Sequence, residues 1–259
     1  SPRGGMGRAL RAMAGALREE AAVTVLAPGV LSEEGRSILP STLRAGGHLA
    51  MSLLLPFARL PRVGASLVPS GPGGLLLVRR PPSTRLDVVA YHPHAQQAAC
   101  VPGERWKRAL VPWERRTYRM ADRVLCFSED TRQCLIEEYD VEPGRIRLLP
   151  QAVTIPPLPP VARDSRLCLC VARLDRRKGV DVLLRAWPAV LRRVPDARLV
   201  VVGRGPLAVP PDLAGSVAVR PAVSEQEMTE LLAKASVALC PAYLEGFGLA
   251  CAEAMGAGV

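Results

Sequence analysis

The order of apolar and polar positions in the second half of the chain predicts a strand, a basic turn, a helix and another strand. Residues 167–172 form an apolar run typical of a strand that is buried on both faces. Apolar positions then recur at helical spacing, at Leu183, Trp187, Val190 and Val194. Residues 199–202 form the next apolar run. This β-α-β pattern places its first strand-to-helix turn where open α/β sheets bind their ligands.

The alternation continues to the end of the chain. Apolar runs predict strands at residues 217–223 and 236–241. Ser224 and Glu227 have the spacing of a capping box, which predicts that a helix begins there. A loop over residues 243–248 then leads into a last helix.

The first half shows the same alternation less regularly. Its apolar runs predict strands at residues 22–27, 65–68, 86–91, 123–127 and 146–149. Helical spacing predicts helices near the N-terminus, at residues 49–60 and at residues 104–120, where Pro112 predicts a kink or two short helices. Ser128 is a favourable N-cap for the helix that follows it. Because strands and helices alternate in both halves, we predict an α/β fold with two Rossmann-like, doubly wound domains.

Proline is concentrated between the two halves. Residues 151–164 are rich in proline, which predicts a stiff linker. We therefore expect an N-terminal domain at residues 1–150 and a C-terminal domain at residues 165–259. A glycine-rich loop such as the one at residues 4–7 usually follows a strand, so we expect the N-terminal domain to lack its first strand and the chain to be a fragment.

The charge of the chain is strongly basic and comes almost entirely from arginine. The net charge is +10, and the only lysines are Lys107, Lys178 and Lys234. Such a balance permits nucleotide-activated substrates, nucleic acid or an anionic membrane as partners, although GC-rich coding produces the same composition. The aromatic residues follow no stacking pattern and the cations are dispersed, so we expect no nucleic acid partner.

The cysteines and the apolar runs indicate which cellular compartment to expect for the protein. Seven cysteines are scattered without a C-x-x-C pair, which favours a reduced, cytoplasmic chain over a disulfide framework or a zinc site. No apolar run reaches the roughly 18 residues of a membrane span. A basic, aromatic helical region at residues 106–119 is compatible with peripheral contact with an anionic lipid surface, but the favoured interpretation is a packed domain helix with a solvated arginine face.

The turn after the first strand of the β-α-β unit carries an unusual number of cations. Arg173, Arg176, Arg177 and Lys178 precede Gly179, where the helix is expected to begin. A helix N-terminus favours negative charge, so this turn predicts an anion site, most plausibly for phosphate. We expect both Arg173 and Lys178 to be functional, the lysine all the more because lysine is rare in this chain, and we expect Arg176 and Arg177 to be solvated.

This turn, together with the distant segment EGFGLACAEAM, resembles the retaining glycosyltransferases of family 4, which have the GT-B fold with two Rossmann-like domains. The motif is E-G-F-G-L with a second glutamate eight positions after the first, at Glu245 and Glu253. The segments VARLDRRKGVDVLLRAW, ARLVVVGRGP and ADRVLCFSEDTR are also similar to that family. Several motifs in the expected order carry more weight than any one spacing alone.

The resemblance implies a role for each matching residue. Arg173 and Lys178 would neutralise the diphosphate of a nucleotide-sugar, Glu245 would face the sugar hydroxyls, and Glu253 would accept from the ribose. The other donor-binding positions that it implies are Gly5, Gly7, Gly203, Gly246, Phe247, Gly248 and Leu249. His92 would lie near the anomeric carbon, with His94 as a rival.

Some positions depart from the family pattern. Gln151-Ala152 stands where the family commonly has Asn-Gly, and Gly203-Arg204-Gly205 where it commonly has Gly-Asp-Gly, which leaves the donor base open. The chain also stops at Val259, whereas the family continues. We therefore expect an incomplete C-terminal domain and an isolated chain that is inactive or poorly soluble.

The expected activity is transfer of a sugar from a nucleotide-diphosphate sugar to an acceptor hydroxyl with retention at the anomeric carbon. The acceptor is open among a saccharide, a lipid-linked molecule and a small molecule. No D-x-D motif is present, so we expect neither a metal nor a cofactor. A nucleotide-sugar epimerase, a sugar phosphorylase of the same fold and a non-enzymatic nucleotide- or nucleic-acid-binding fragment are the alternatives.

Overall fold

The structure is a computed structural model that describes residues 62–70 and 76–259 in full. Before residue 62 it describes only residues 15, 16, 18, 19, 22, 25–27 and 35–37, the last two ranges by their backbone alone. The predicted helix at residues 49–60 and the glycines Gly5 and Gly7 lie outside the described residues.

The chain divides into two compact units. One consists of Ser1–Ala99 and Gly103–Gln151, and the other of Cys100–Pro102 and Ala152–Val259. Residues 149–163 have no regular secondary structure. The assignment of acceptor and donor roles to the two units stays a prediction.

The first unit contains two parallel sheets among its described residues. Strands β1 (Val25–Ala27) and β2 (Gly35–Ser37) pair with each other. The larger sheet has the order β3-β4-β5-β6, with all neighbours parallel, and its strands are β3 (Val63–Ser70), β4 (Ser83–Ala90), β5 (Arg123–Cys126) and β6 (Ile146–Leu148). β3 extends beyond the predicted run, and the other three strands overlap their predictions.

Helices follow the strands of this sheet. They are α1 (His94–Cys100), a 3-10 helix (Arg105–Leu110), α2 (Val111–Met120), α3 (Glu129–Tyr139) and a 3-10 turn (Pro143–Arg145). Pro112 lies at the start of α2, so the predicted interruption divides the helical region into two pieces. Ser128 caps α3 as predicted, with its hydroxyl accepting from the Thr131 N–H. The sequence reading did not include α1.

The second unit is one parallel four-stranded sheet with helices between its strands. Its strands are β7 (Asp164–Val171), β8 (Arg198–Val202), β9 (Val217–Arg220) and β10 (Ala235–Ala238). Its helices are α4 (Val180–Arg193), α5 (Glu225–Lys234) and α6 (Leu249–Gly256), with 3-10 turns at Arg176–Lys178 and Pro211–Leu213. The strand order is β10-β7-β8-β9. The predicted capping box at Ser224 and Glu227 begins α5.

Both faces of this sheet are covered, as the continuous apolar strands require. On one face Cys170 and Val201 pack with Trp187 of α4. On the other face Leu169 and Leu231 pack in a second cluster that also contains Ala254 of α6. The α/β fold with parallel sheets and flanking helices is confirmed.

Some element limits differ from the sequence reading. β9 ends at Arg220 and β10 at Ala238, several residues before the predicted ends, because the segments after them turn away as loops. The buried stripe of α4 consists of Val180, Leu184 and Trp187, so Leu183 lies at its edge rather than its centre.

Candidate functional site

The strand order of the second unit selects one edge of its sheet. From β7 the chain proceeds outward to β8 and β9 and then returns to place β10 on the other side of β7. The order therefore reverses between the carboxyl ends of β7 and β10, which is the topological switch point where α/β sheets bind ligands. Two segments leave the sheet here: the cationic turn (residues 173–179) and the glutamate loop (residues 239–248).

Local chemistry shapes the cationic turn. The Asp175 side chain caps the 3-10 turn by accepting from the Lys178 N–H at 3.2 Å. Gly179 then takes a left-handed conformation at φ 63° and starts α4. A Cβ atom at this glycine would lie 2.0 Å from the Pro241 carbonyl oxygen, so the turn touches the backbone of the glutamate loop.

Main-chain contacts hold the two segments together. The Tyr243 N–H donates to the Arg177 carbonyl at 3.0 Å. The Arg177 guanidinium donates to the Leu244 carbonyl, also at 3.0 Å. The expectation that Arg177 is merely solvated is therefore wrong: its side chain satisfies a backbone acceptor of the opposite loop.

Lys178 and Glu245 form an ion pair across the two segments. The Lys178 side chain is 16% exposed and that of Glu245 is 37% exposed. Burial lowers the pKa of Lys178, the Glu245 charge opposes this, and Arg177 and Arg173 lower the pKa further. The cations are therefore close enough to repel one another, which favours an anion at this position.

Arg173 lies at the open side of the same turn. Its side chain is 63% exposed, and its guanidinium contacts the Asp175 carboxylate at 2.8 Å. An exposed ion pair of this kind is held weakly in water, so the guanidinium is available to exchange its partner for a ligand.

Gly203 and Gly205 place a neighbouring loop against the base of this turn. A Cβ atom at Gly203 would lie 1.9 Å from the Ala172 carbonyl oxygen, and one at Gly205 2.2 Å from that of Leu174. The Leu174 N–H donates to the Arg204 carbonyl at 2.9 Å, which continues the β7–β8 pairing beyond the strands. Both glycines thus serve the packing of the backbone that carries Arg173.

The N-terminus of α6 completes the arrangement. Gly248 is its N-cap, in a left-handed conformation at φ 82°. Gly246 is buried, while Phe247, Leu249 and Glu253 are half-buried. The first N–H groups of a helix have no intrahelical acceptor, so those of α6 add donors to the same edge of the sheet.

A small cavity lies among these groups. Its volume is about 20 Å³, which is room for about one water molecule. It is lined in part by Lys178, Glu245, Gly248, Cys240 and Cys251. Burial and the neighbouring Cys251 thiol raise the pKa of Cys240 to about 11, so this thiol stays protonated at neutral pH.

A larger cavity of about 310 Å³ lies elsewhere in the second unit, between α4 and residues 207–213. Its lining is mainly apolar, and its charged residues are Arg185, which pairs with Asp181 at 2.9 Å, and a second carboxylate, Asp212. It offers no excess of cations, so we assign the anion site to the switch point.

The histidines of the first unit have different surroundings. His92 is half-buried and follows the carboxyl end of β4, with its carbonyl accepting from the Gln97 amide at 2.7 Å. His94 is buried, and its Nδ1 lies 3.0 Å from a carboxylate oxygen of the fully buried Glu114. His94 is therefore an interior residue, and it is no longer a rival to His92 for a ligand.

The predicted site residues thus fall into three groups. Lys178, Glu245 and Gly248 line one cavity at the switch point of the second unit. The segments that follow β7, β8 and β10 carry the other predicted residues of this unit, which are Arg173, Gly203, Gly246, Phe247, Leu249 and Glu253. His92 belongs to the first unit. Gly5 and Gly7 are not among the described residues. Arg177 was expected to be solvated and Asp175 was given no role, because the only signal for either residue was its position within the basic turn.

Two further findings concern the described residues as a whole. They contain no group of three or more histidine, cysteine, aspartate or glutamate side chains able to hold a metal ion. Among the described helices, none combines the length and the apolar character needed to cross a membrane.

Comparisons with known proteins find relatives among the glycosyltransferases. The chain is 28% identical to the D-inositol 3-phosphate glycosyltransferase of Nocardiopsis dassonvillei, over 73% of this chain and 51% of that protein. It is 36% identical to a GDP-mannose-dependent alpha-(1-6)-phosphatidylinositol monomannoside mannosyltransferase of Mycolicibacterium smegmatis, over 33% of this chain and 24% of that protein. The chain spans about half the length, or less, of these relatives.

Solved structures share the fold. A sucrose-phosphate synthase from Thermosynechococcus elongatus superimposes with a TM-score of 0.56 at 21% identity, over 68% of this chain and 49% of that chain. A mutant of S. aureus TarM in complex with Fondaparinux, alpha-GlcNAc-glycerol and UDP superimposes with a TM-score of 0.54 at 16% identity, over 66% of this chain and 35% of that chain. At such low identity the likeness concerns the fold alone.

Two family models together match almost the whole chain. The one described as Glycosyl transferases group 1 matches residues 165–259. The one described as Glycosyltransferase Family 4 matches residues 3–155, which is more than half of the 259 residues. The chain therefore belongs to glycosyltransferase family 4.

Proposed function

We propose that the full-length protein transfers a sugar from a nucleotide-diphosphate sugar to an acceptor hydroxyl, with retention of the anomeric configuration. The observation that carries this proposal is the Lys178–Glu245 pair at the switch point of the second sheet, beside the N-terminus of α6. This edge presents cations, a carboxylate and backbone N–H groups together, which are the groups that a sugar linked to a diphosphate requires.

The cations bind the diphosphate in this proposal. When the donor binds, Lys178 exchanges its partner Glu245 for a phosphate oxygen. Arg173 likewise exchanges its partner Asp175 for a phosphate oxygen. Negative charge grows on the leaving diphosphate as the glycosidic bond breaks. Fixed cations that face this charge stabilise the transition state more than the ground state.

The carboxylates bind hydroxyl groups. Glu245, released from Lys178, accepts hydrogen bonds from the sugar, and Glu253 on α6 accepts from the ribose. The backbone at Gly246, Phe247, Gly248 and Leu249 donates to the phosphate and the sugar, and the loop at Gly203 lies near the nucleotide. His92 lies near the anomeric carbon, and Gly5 and Gly7 complete the donor site.

Retention is proposed to proceed by front-face displacement, in which the leaving phosphate helps to remove the proton of the acceptor hydroxyl. The reaction uses neither a metal nor a cofactor, because the cations neutralise the diphosphate. The names of the relatives make inositol phosphate the first acceptor to assay, and the acceptor binds to the first unit.

Contact with an anionic membrane surface is a further part of the proposal. Trp106 and Trp113 are 63% and 56% exposed, and Arg105, Arg108 and Arg116 are exposed beside them in sequence. Exposed aromatic rings flanked by cations fit the interface of a bilayer that carries negative charge.

The test is a matched pair of variants in the cationic turn of the full-length protein. Release of nucleoside diphosphate from UDP-, GDP- and ADP-sugars is measured with and without inositol phosphate. Lys178→Ala should lower kcat/KM for the donor about 100-fold, the usual cost of losing one donor to a developing charge. Arg176→Ala, in the same turn but with an exposed side chain, should change it less than about threefold.

Other outcomes would contradict the proposal. Equal losses in both variants, or none in either, would exclude a specific role of Lys178. Release of sugar phosphate in the presence of inorganic phosphate, or an epimerised nucleotide-sugar as the product, would indicate one of the other enzyme classes instead.

A further inference from the structure

The side chain of Glu114 is completely buried in the first unit, on the side of α2 that faces the sheet. An ionised carboxylate in an apolar interior is unfavourable unless hydrogen bonds satisfy both of its oxygens. Both carboxylate oxygens of Glu114 therefore need hydrogen-bond donors, and the two oxygens have different donors.

The Oε1 atom of Glu114 serves the interior of the unit. It accepts from the Ser70 hydroxyl at 3.2 Å and from the Tyr118 hydroxyl at 3.1 Å. Ser70 ends β3, and Tyr118 lies on the same helix as Glu114. These contacts connect α2 to the sheet.

The Oε2 atom faces the first turn of α1. It accepts from the His94 backbone N–H at 2.7 Å and from the Tyr139 hydroxyl. The Tyr139 hydroxyl in turn accepts from the Ala95 N–H at 2.9 Å. Two N–H groups that begin α1 are thus satisfied by side chains of α2 and α3, far away in sequence.

Hydrogen bonds also fix the backbone of this turn at His92. The Gln97 side chain of α1 donates to the His92 carbonyl at 2.7 Å, and Lys107 donates to the Gln97 amide oxygen at 2.7 Å. The segment from His92 to Gln97 is therefore fixed at both ends by buried polar groups.

We propose that Glu114 and Tyr139 are positioning residues, which hold the first turn of α1 and so fix the backbone that presents His92 to the donor sugar. This inference rests on the proposed function, in which His92 lies near the anomeric carbon. Neither side chain touches the substrate, because both are buried behind the turn.

A matched pair of tyrosines allows a sharp test. Tyr118 and Tyr139 are both fully buried, both donate to Glu114, and their rings pack edge to face with centroids 5.0 Å apart. Only Tyr139 contacts α1. Tyr139→Phe and Tyr118→Phe thus remove the same atom from similar surroundings, and only the first leaves the Ala95 N–H without its acceptor.

The experiment compares both variants in the full-length protein. For Tyr139→Phe we expect amide hydrogen exchange at Ala95 to accelerate at least tenfold, and kcat to fall about tenfold with the donor KM within twofold of wild type. For Tyr118→Phe we expect exchange at Ala95 and kcat both within twofold of wild type. If Tyr139→Phe does not fold, Gln97→Met removes the contact with the His92 carbonyl and should lower kcat in the same way.

Hydrogen exchange at Ala95 and kcat of the variants test the positioning role, and nucleotide release by the wild type tests the proposed function. Equal exchange at Ala95 in the two tyrosine variants overturns the positioning role, even where the wild type transfers sugar. Equal losses of kcat overturn it as well, because they indicate a merely structural cluster. A wild type that releases no nucleotide from any donor overturns the proposed function, while the exchange comparison remains readable.

Discussion

At the scale of single residues, Gly179 allows the cationic turn and the glutamate loop to meet. Its φ of 63° is unfavourable for a residue with a side chain, and a Cβ atom would lie 2.0 Å from the Pro241 carbonyl oxygen. Arg177 and Lys178, which both contact the glutamate loop, directly precede this glycine in the chain. A methyl group at one position would therefore disturb the whole junction.

Replacement of Gly179 by alanine should destabilise the protein measurably. We expect Gly179→Ala to lower the free energy of unfolding by at least about 2 kcal/mol, since it combines left-handed strain with a backbone collision. Urea unfolding followed by circular dichroism measures this change. Gly215→Ala is the control, because no atom lies within 4 Å of its added Cβ and its effect should stay below about 0.5 kcal/mol. Equal effects of both substitutions would contradict the proposed contact.

At the scale of elements, Asp122 joins the start of β5 to the middle of the neighbouring strand β4. Its carboxylate accepts from the Leu86 N–H of β4 at 2.7 Å, and its own N–H donates to the Leu86 carbonyl at 2.8 Å. The Arg80 guanidinium pairs with the same carboxylate. Hydrogen bonds from Arg80, and then from the Leu86 N–H, lower the pKa of Asp122 below its usual 3.8.

The pKa shift of Asp122 predicts a dependence of stability on pH. Because the folded-state pKa is lowered, the stabilisation is fully present above pH 3.8 and is lost as the pH falls through the folded-state value. We expect Asp122→Ala to cost about 1 kcal/mol at pH 7, since the ion pair is largely solvated. The difference from wild type, measured by urea unfolding, should shrink below about pH 4. A difference that stays constant down to pH 2 would contradict this account.

At the scale of the whole molecule, two parallel sheets carry different parts of the proposed chemistry. The second sheet presents the cations and carboxylates at its switch point, and the first presents His92 beyond β4. The whole chain carries a net charge of +10. Such a charge raises the local concentration of phosphorylated substrates and favours anionic surfaces.

The membrane contact predicts vesicle binding that depends on charge and on two tryptophans. We expect the protein to sediment with phosphatidylglycerol vesicles and not with phosphatidylcholine vesicles, and salt to weaken the binding. Replacement of both Trp106 and Trp113 by alanine should reduce the bound fraction at least threefold, because these exposed rings enter the interface. No sedimentation of the wild type with either lipid would exclude the contact.

The predictions from the sequence are confirmed where structure is decided locally. The capping box of α5, the Ser128 cap of α3 and the buried run of β7 all depend on residues a few positions apart. The predicted ends of β9 and β10 were wrong because they depend on neighbouring strands. Helix α1 was not predicted because its start depends on the buried carboxylate of Glu114.

By itself the sequence determined the alternation of strands and helices, the family and the residues of the cationic turn and glutamate loop. Only the tertiary structure decided which groups meet: Lys178 with Glu245, Arg177 with Leu244, and Glu114 with the first turn of α1. For the first two contacts the physical reason is the strand order, which places β10 beside β7 and thereby joins residues that are 67 positions apart. The contact of Glu114 arises because the tertiary structure places the buried side of α2 beside the first turn of α1. Sequence patterns over a few residues do not indicate which strands will be neighbours in a sheet.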